Sequence, residues 1–109
     1  MDLKNQQCVP CHKGEPSLSL EQIQHYLKSV PEWMCDEDKM ILSRYFTFKN
    51  FKEALAFVNN VGDIAEEAKH HPDISFGWGY VRIELQTHAI SGLHLNDFIV
   101  AQRINGLSI

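Results

Sequence analysis

The sequence lacks the features that several classes of protein require. It has no run of basic residues, and its 10 Lys and Arg against 14 Asp and Glu give a net charge of −4. A nucleic-acid partner is therefore not expected, because phosphate neutralisation needs clustered basic side chains. No apolar run approaches the ~20 residues that cross a bilayer. The first residues, Met1 to Asn5, also lack the apolar stretch of a secretory signal, so we expect a cytoplasmic protein with no membrane partner.

Cysteine is scarce as well. The three thiols are Cys8, Cys11 and Cys35, and this odd count argues against a disulfide framework. The run from Cys8 to His12 reads Cys-x-x-Cys-His, which has the spacing of half a zinc site. A closed zinc site needs four ligands, however, and no second Cys pair follows. Two interpretations stay open: a zinc site completed by Cys35 or a histidine, and a flexible N-terminal tail over residues 1–16 with incidental thiols.

The rest of the chain carries enough apolar residues for one core. Of its 109 residues 44% are hydrophobic, an ordinary content for a single globular domain, which we place at 17–109. Hydrophobic periodicity, helix caps and turn residues predict seven elements. These are a helix over 19–29, strands over 32–35 and 40–48, a long helix from 51 that Pro72 ends, strands over 74–76 and 80–87, and a last helix whose apolar face spans 95–104.

This order of elements defines the expected fold. The pattern α-β-β-α-β-β-α predicts an α+β two-layer sandwich, a four-stranded antiparallel sheet with three helices on one face. In the strand after Tyr80, apolar and polar residues alternate, as in a strand with one buried face. The long helix has an apolar face wide enough to cover the sheet, made of Phe51, Leu55, Val58, Val61, Ile64, Ala65 and Ala68.

Histidines and carboxylates cluster at the ends of these elements. Glu66 and His70 are four residues apart, so a helix would place them on one face, and His71 follows directly. His88 lies at the end of a predicted strand, and Asp97 lies in the first turn of the last helix. Imidazoles with an ordinary pKa near ~6.5, next to carboxylates, can transfer protons in both directions near neutrality. The pattern predicts an acid–base site made from these five residues.

Simpler interpretations of the same residues remain open. His70 and His71 suit a helix C-terminus through the helix dipole alone. His88 alone is typical of a turn, and Asp97 alone is typical of a first helical turn. Three histidines and a carboxylate could also bind zinc or iron. Adjacent histidines point in different directions from a helix, though, unlike the i,i+4 pair of His-Glu-x-x-His.

At these positions the chain resembles the pterin-4a-carbinolamine dehydratases. The signature of that family is an acidic residue, three residues, His-His-Pro, an aromatic residue, a distant His and then Asp. The matching residues are Glu66, His70, His71, Pro72, Trp78, His88 and Asp97. The similarity extends to 48–51 with the long helix and to 92–98, and so spans nearly the whole domain after the tail. His94 stands where many relatives have a Ser or Thr helix cap.

The resemblance implies a lyase that works without a cofactor or a metal. Its substrate would be the 4a-hydroxytetrahydropterin, for instance 4a-hydroxytetrahydrobiopterin, that an aromatic amino acid hydroxylase such as phenylalanine hydroxylase leaves behind. Loss of water would give quinonoid dihydropterin, which a dihydropterin reductase recycles. The resemblance also implies a homodimer or homotetramer. The other function that we consider is a non-catalytic module that binds a protein through its sheet edge.

The resemblance also assigns roles to individual residues. His70, His71 and His88 would be catalytic, with His71 and His88 beside the departing hydroxyl group. Glu66 and Asp97 would orient the histidines. The residues expected to contact the pterin are His70, His71, Pro72, Trp78, Thr87, His88, Ala89 and Ile90.

Overall fold

Three helices and four strands lie within the computed structural model, which describes residues 6–9 and 14–107. In chain order the elements are α1 (Leu20–Leu27), β1 (Met34–Asp36), β2 (Ile41–Thr47), α2 (Phe51–Ala68), β3 (Asp73–Gly77), β4 (Tyr80–Leu85) and α3 (Leu95–Asn105). A short 3-10 helix, His88–Ile90, separates β4 from α3. The predicted α+β order is therefore confirmed, with α1, β1, β2 and β4 shorter and β3 longer than expected. Across the described residues, no helix is both long and apolar enough to span a membrane.

The four strands form one antiparallel sheet in the order β1-β2-β4-β3. Val81, Ile83 and Leu85 of β4 are fully buried, whereas Arg82 between them is exposed. The alternation in the sequence thus predicted the two faces of this central strand correctly. The opposite face of the sheet is open, and Tyr45 is 58% exposed there.

The residues with which helix α2 covers the sheet overlap the expected set in part. Val61, Ala65 and Ala68 are buried as expected, whereas Phe51 and Leu55 are 46% and 40% exposed, although the Phe51 ring lies 5.6 Å from that of Phe76 on β3. The fully buried face consists of Ala54, Phe57, Val61, Ala65 and Ala68. Apolar residues occupy two neighbouring stripes of this helix, and the stripe rich in alanine allows closer packing on the sheet.

Side chains cap the N-termini of the three helices. Ser19 and Gln22 form the expected capping box, in which the Ser19 hydroxyl accepts from the Gln22 N–H at 3.1 Å. The Asn50 side chain accepts from the Glu53 N–H at 2.9 Å. These contacts set the starts of α1 and α2. At the start of α3, the Nδ1 atom of His94 accepts from the Asn96 N–H at 3.1 Å, so an imidazole performs the capping that Ser or Thr performs elsewhere.

Candidate active site

Helix α2 ends at Ala68, before the chain reaches Pro72. Lys69 adopts the left-handed conformation with φ 56°, and the His70 N–H donates to the Ala65 carbonyl at 3.2 Å. A left-handed residue followed by this bond is a common way to close a helix. The prediction that Pro72 ends the helix is therefore wrong. As a consequence, His70 and His71 lie in the segment between α2 and β3 and not on a helix.

His70 is bound to a buried carboxylate. Its Nε2 atom lies 2.6 Å from Asp97 Oδ1, with the His70 side chain 13% exposed and Asp97 fully buried. The other oxygen, Oδ2, accepts from the Thr87 hydroxyl at 2.7 Å and from the His94 N–H at 3.0 Å. An ionised carboxylate only accepts hydrogen bonds, so this network favours the His70 tautomer with a proton on Nε2. The proton-exchanging nitrogen of His70 is then Nδ1.

His71 is paired with the other carboxylate of the motif. Its Nε2 atom is hydrogen-bonded to Glu66 Oε2, and the two side chains are 59% and 78% exposed. The expected pairing of Glu66 with His70 through an i,i+4 helical contact is wrong. That pairing requires a helix through His70, whereas the left-handed Lys69 turns the chain and brings His71 back over Glu66.

His88 enters the site on a tight turn that follows β4. Thr87 and Gly92 pair across the turn, with the Thr87 N–H donating to the Gly92 carbonyl at 2.9 Å. A Cβ atom on Gly92 would lie 2.6 Å from Ser17 Cβ, so only glycine permits the chain before α1 to pass so close. The turn leaves His88 exposed at the sheet end near Asp97.

The three histidines line one cleft of about 770 Å³. Its volume is in the range of small-molecule sites. Of the residues predicted from sequence, His70, His71, Thr87, His88 and Ala89 line this cleft. The residues that sequence reasoning missed are Gln7, Cys8, Val9, Glu67, Ala68, Lys69, Gln86 and Asn96. The structure thus brings the two halves of the histidine motif to a single concave site.

Three residues of the predicted substrate set are placed differently. Pro72 and Ile90 flank lining residues and do not line the cleft themselves. Trp78 lies in the turn between β3 and β4, is 71% exposed, and does not line the cleft either. Strand β3 leads away from His71, and its five residues span about 17 Å at the usual rise of ~3.3 Å per residue. The expected contact between Trp78 and a ligand in this cleft is therefore not supported.

Part of the predicted N-terminal tail belongs to the site. Residues Gln7, Cys8 and Val9 line the cleft, and Val9 is hydrogen-bonded to the side chain of Asn96 on α3. The composition of the tail did not indicate this contact. Cys11 and His12 lie outside the described residues, so the zinc interpretation of the Cys-x-x-Cys run stays a prediction.

The described thiols are not activated. Burial raises the pKa of the Cys8 thiol above its ordinary value, although the nearby Arg103 acts in the opposite direction. Burial, together with Glu37 and Asp36, also raises the pKa of Cys35. Both groups therefore favour the neutral thiol. Within 6–9 and 14–107, no three His, Cys, Asp or Glu side chains come together as a metal site.

Fold and site together define a class of protein. It is a small α+β protein in which three histidines line one cleft and two of them are paired with carboxylates, an arrangement suited to acid–base chemistry on a small molecule. The family model described as pterin 4 alpha carbinolamine dehydratase matches residues 16–107. The chain therefore belongs to the pterin-4a-carbinolamine dehydratase family.

Bacterial relatives match over almost the entire chain. A Halorhodospira halophila protein is 46% identical over 107 residues, which cover 98% of each chain. A Methylococcus capsulatus protein is 47% identical over 106 residues, covering 97% of this chain and 93% of the relative. The names of both proteins give pterin-4-alpha-carbinolamine dehydratase as a provisional assignment.

Solved structures of similar fold carry more than one function in their descriptions. A transcriptional coactivator/pterin dehydratase from Brucella melitensis has a TM-score of 0.77 at 26% identity, covering 83% of this chain and 96% of its own. A pterin dehydratase-like protein identified as a RuBisCO assembly factor in the alpha-carboxysome has a TM-score of 0.59 at 27% identity, covering 68% and 86%. Both support the fold, and they show that the fold occurs in proteins described as assembly factors or coactivators.

Proposed function

We propose that this protein removes water from 4a-hydroxytetrahydropterins, with 4a-hydroxytetrahydrobiopterin as the representative substrate. The products are quinonoid dihydropterin and water. The observation that carries the proposal is that His70, His71 and His88 line one cleft while Asp97 holds His70 from behind. Membership of the pterin-4a-carbinolamine dehydratase family supports the choice of substrate.

Dehydration requires two proton transfers. One histidine, as imidazolium, donates a proton to the 4a-hydroxyl group, and the C4a–O bond breaks to release water. A neighbouring base takes the proton from N5, and the electron pair of the N5–H bond forms the C4a=N5 double bond. One proton is donated and one is taken up, so proton exchange between the two groups or with water restores the site. Positioned acid and base groups of this kind typically contribute 10²–10⁴-fold to a rate.

The exposure of the histidines suggests how these tasks are divided. His71 and His88 are exposed at the cleft, where they can exchange protons with both substrate and water. We assign to them the transfers at the hydroxyl group and at N5. His70 is mostly buried and anchored by Asp97, so its task is to hold the ring or to assist the transfer through Nδ1. Glu66 orients His71 in the same way, from a more exposed position.

The product suggests a place beside redox enzymes of pterin metabolism. A 4a-hydroxytetrahydropterin arises when an aromatic amino acid hydroxylase uses its pterin, and quinonoid dihydropterin has to be reduced before it can be used again. We therefore propose functional coupling to such a hydroxylase and to a dihydropterin reductase, in the cytoplasm. We also propose self-association into a homodimer or homotetramer, for which the exposed Phe51 and Leu55 on α2 offer an apolar surface. Light scattering of the purified protein tests this last point, and a monomer at micromolar concentration would contradict it.

A stopped-flow assay tests the dehydratase activity. The carbinolamine is generated by a phenylalanine hydroxylase from tetrahydrobiopterin, and its decay is followed by ultraviolet absorbance with and without the chelator-treated protein. We expect clear acceleration by the wild-type protein. We expect kcat to fall about 100-fold or more in His71→Ala and in His88→Ala, the scale of a lost acid or base.

Controls separate a lost catalytic group from a misfolded protein. His25→Ala removes an exposed histidine of α1, away from the cleft, and should keep the wild-type rate. Circular dichroism should show the same fold for all variants. Unchanged rates in both His71→Ala and His88→Ala would reject the residue assignment, and a wild-type rate equal to spontaneous decay would reject the proposed activity.

A protein-binding function is the second candidate. It is favoured by the uncovered sheet face, where Met34 is 74% exposed and Tyr45 stacks on Tyr80 with ring centroids 5.9 Å apart. The described function of the RuBisCO assembly factor is consistent with such a role for the fold. Affinity capture with the wild-type protein and with a Met34→Lys/Tyr45→Lys variant tests it. A partner retained by the wild type and lost by the variant, together with no carbinolamine turnover, would favour this candidate.

A further inference from the structure

The segment Gln6–Val9 lies outside the part of the chain that the family model matches, yet it reaches the candidate active site. The match begins at residue 16. Gln7, Cys8 and Val9 nevertheless line the same cleft as the three histidines. This segment contributes no group to the acid–base scheme above, so its place at the cleft calls for a separate explanation.

The side-chain amide of Asn96 binds both backbone groups of Val9. The Val9 N–H donates to Asn96 Oδ1 at 3.1 Å, and Asn96 Nδ2 donates to the Val9 carbonyl at 2.7 Å. Asn96 is only 3% exposed, so its amide is committed to this pair and not to solvent. A two-point contact of this kind fixes the orientation of the segment as well as its position.

Two further contacts hold the segment against α3. Arg103 Nη2 donates to the Gln6 carbonyl at 2.7 Å, about two turns along α3 from Asn96 on the same face of the helix. The Cys8 thiol lies 4.0 Å from the Asn96 carbonyl oxygen and is partly buried by this packing. The segment is thus attached at both ends, and the residues between the attachments face the cleft.

The first turn of α3 therefore organises two parts of the site. Asp97 holds His70, whereas the neighbouring Asn96 holds the segment from Gln6 to Val9. The two side chains leave the helix in different directions, so one can be altered while the other keeps its contacts. That separation makes the contribution of the segment measurable.

We propose that Gln6–Val9 is a wall of the pterin-binding cleft and that Asn96 is the residue that positions it. The proposal rests on the proposed dehydratase function. The wall narrows the cleft and lowers the mobility of the bound ring, and so it contributes to substrate affinity. Proton transfer, which belongs to the histidines, does not depend on it. Loss of the wall should therefore raise KM and leave kcat nearly unchanged.

Variants of the full-length chain test the wall from both sides of the contact. Asn96→Ala removes the amide, and Val9→Pro removes the backbone N–H that this amide binds. Each should raise the KM for the carbinolamine and the Kd for 7,8-dihydrobiopterin about fivefold to tenfold, the scale of one lost hydrogen-bonded contact, with kcat within about twofold. The double variant should be no worse than either single variant, because both changes remove the same contact.

Matched controls keep the same chemistry away from the contact. Asn59→Ala and Asn60→Ala each replace an exposed asparagine of α2 that does not line the cleft. Both should keep the wild-type KM. A second readout does not use a pterin: in a Cys11→Ser/Cys35→Ser background, Asn96→Ala should speed the alkylation of Cys8 by iodoacetamide at least about threefold, since release of the segment exposes the thiol.

The outcomes separate the two proposals. Carbinolamine turnover with wild-type KM in both Asn96→Ala and Val9→Pro would overturn the wall and leave the dehydratase function intact. A fall in kcat at constant KM would also overturn it, because Asn96 would then act through Asp97. Absence of turnover and of dihydrobiopterin binding in the wild type would reject the proposed function, and the wall as a pterin contact with it. If Asn96→Ala does not fold, Val9→Pro compared with the wild-type protein decides.

Discussion

His70 and His71 are adjacent in sequence and each contacts a carboxylate, but the two pairs differ in burial and in the number of hydrogen bonds. His70 contacts Asp97, which is fully buried and accepts two further hydrogen bonds, from Thr87 and His94. His71 contacts Glu66, and both side chains are more than half exposed. The left-handed Lys69 precedes them and turns the chain so that the two rings part.

The difference in burial leads us to expect different roles for the two histidine–carboxylate pairs. Asp97 accepts three hydrogen bonds in a buried position. Loss of any of them would leave a buried polar group unpaired, which costs free energy, so the His70 ring is held in place. An exposed pair is weakened by water and costs little to open, so the His71 ring can move and exchange protons. We therefore expect changes at the His70 pair to act mainly on stability, and changes at the His71 pair to act mainly on turnover.

Asp97→Asn should have the largest effect on stability. The amide has one acceptor oxygen and one donor nitrogen where the carboxylate accepts three hydrogen bonds, and breaking such a buried pair costs about 3 kcal/mol. Urea unfolding followed by circular dichroism measures the change in the free energy of unfolding. A loss below about 1 kcal/mol would contradict the structural role of the buried pair.

Thr87→Val should have the next largest effect. It removes one of the three hydrogen bonds to Asp97 at nearly constant volume and should lower the free energy of unfolding by about 1–2 kcal/mol. Thr47→Val, at an exposed position of β2, is the matched control and should change stability by less than about 0.5 kcal/mol. Equal losses in the two variants would show that the hydrogen bond from Thr87 to Asp97 adds nothing to the free energy of unfolding.

Lys69→Gly addresses the residue that separates the two pairs. A non-glycine residue in the left-handed region carries a steric cost of roughly 1–2 kcal/mol, and glycine also loses more backbone entropy on folding. We expect a net stabilisation of about 0.5–1 kcal/mol in urea unfolding. Ala56→Gly, at an exposed position in the interior of α2, should instead destabilise by about 1 kcal/mol. Destabilisation by both changes would contradict the left-handed turn at Lys69.

Glu66→Gln should have the smallest effect on stability. The pair with His71 is exposed, so we expect a change below about 0.5 kcal/mol in the free energy of unfolding. Because the carboxylate orients the exposed imidazole, kcat should fall by a factor of about 2–5, the equivalent of one surface pair. A stability loss as large as that of Asp97→Asn would remove the distinction between the two pairs.

Much of the fold follows from patterns that are local in sequence. The alternation in β4 predicted its buried face, and the caps at Ser19 and Asn50 predicted the starts of two helices. These features depend on neighbouring residues only, which is why the sequence reveals them. The stripe of α2 that packs on the sheet depends on the partner surface, and the predicted apolar face did not separate the buried Val61, Ala65 and Ala68 from the partly exposed Phe51 and Leu55.

The three histidines of the cleft were predictable from the sequence, whereas their contacts and most other lining residues were not. An ideal helix would have paired Glu66 with His70. Because Lys69 is left-handed and ends the helix, Glu66 instead contacts His71, and His70 contacts Asp97. No sequence pattern marks Lys69 for that conformation, since glycine or asparagine is usual there. The wall at Gln6–Val9 arises from contacts between residues almost ninety positions apart, which periodicity cannot detect.

The most direct test of the dehydratase assignment is a single-turnover measurement with protein in excess over the carbinolamine. The wild-type protein and the His71→Ala/His88→Ala double variant are compared with spontaneous decay, with His25→Ala as the control. We expect fast conversion by the wild type and by the control, and decay at the spontaneous rate with the double variant. A wild type no faster than spontaneous decay would contradict the dehydratase function, and a double variant as fast as the wild type would contradict the roles of His71 and His88.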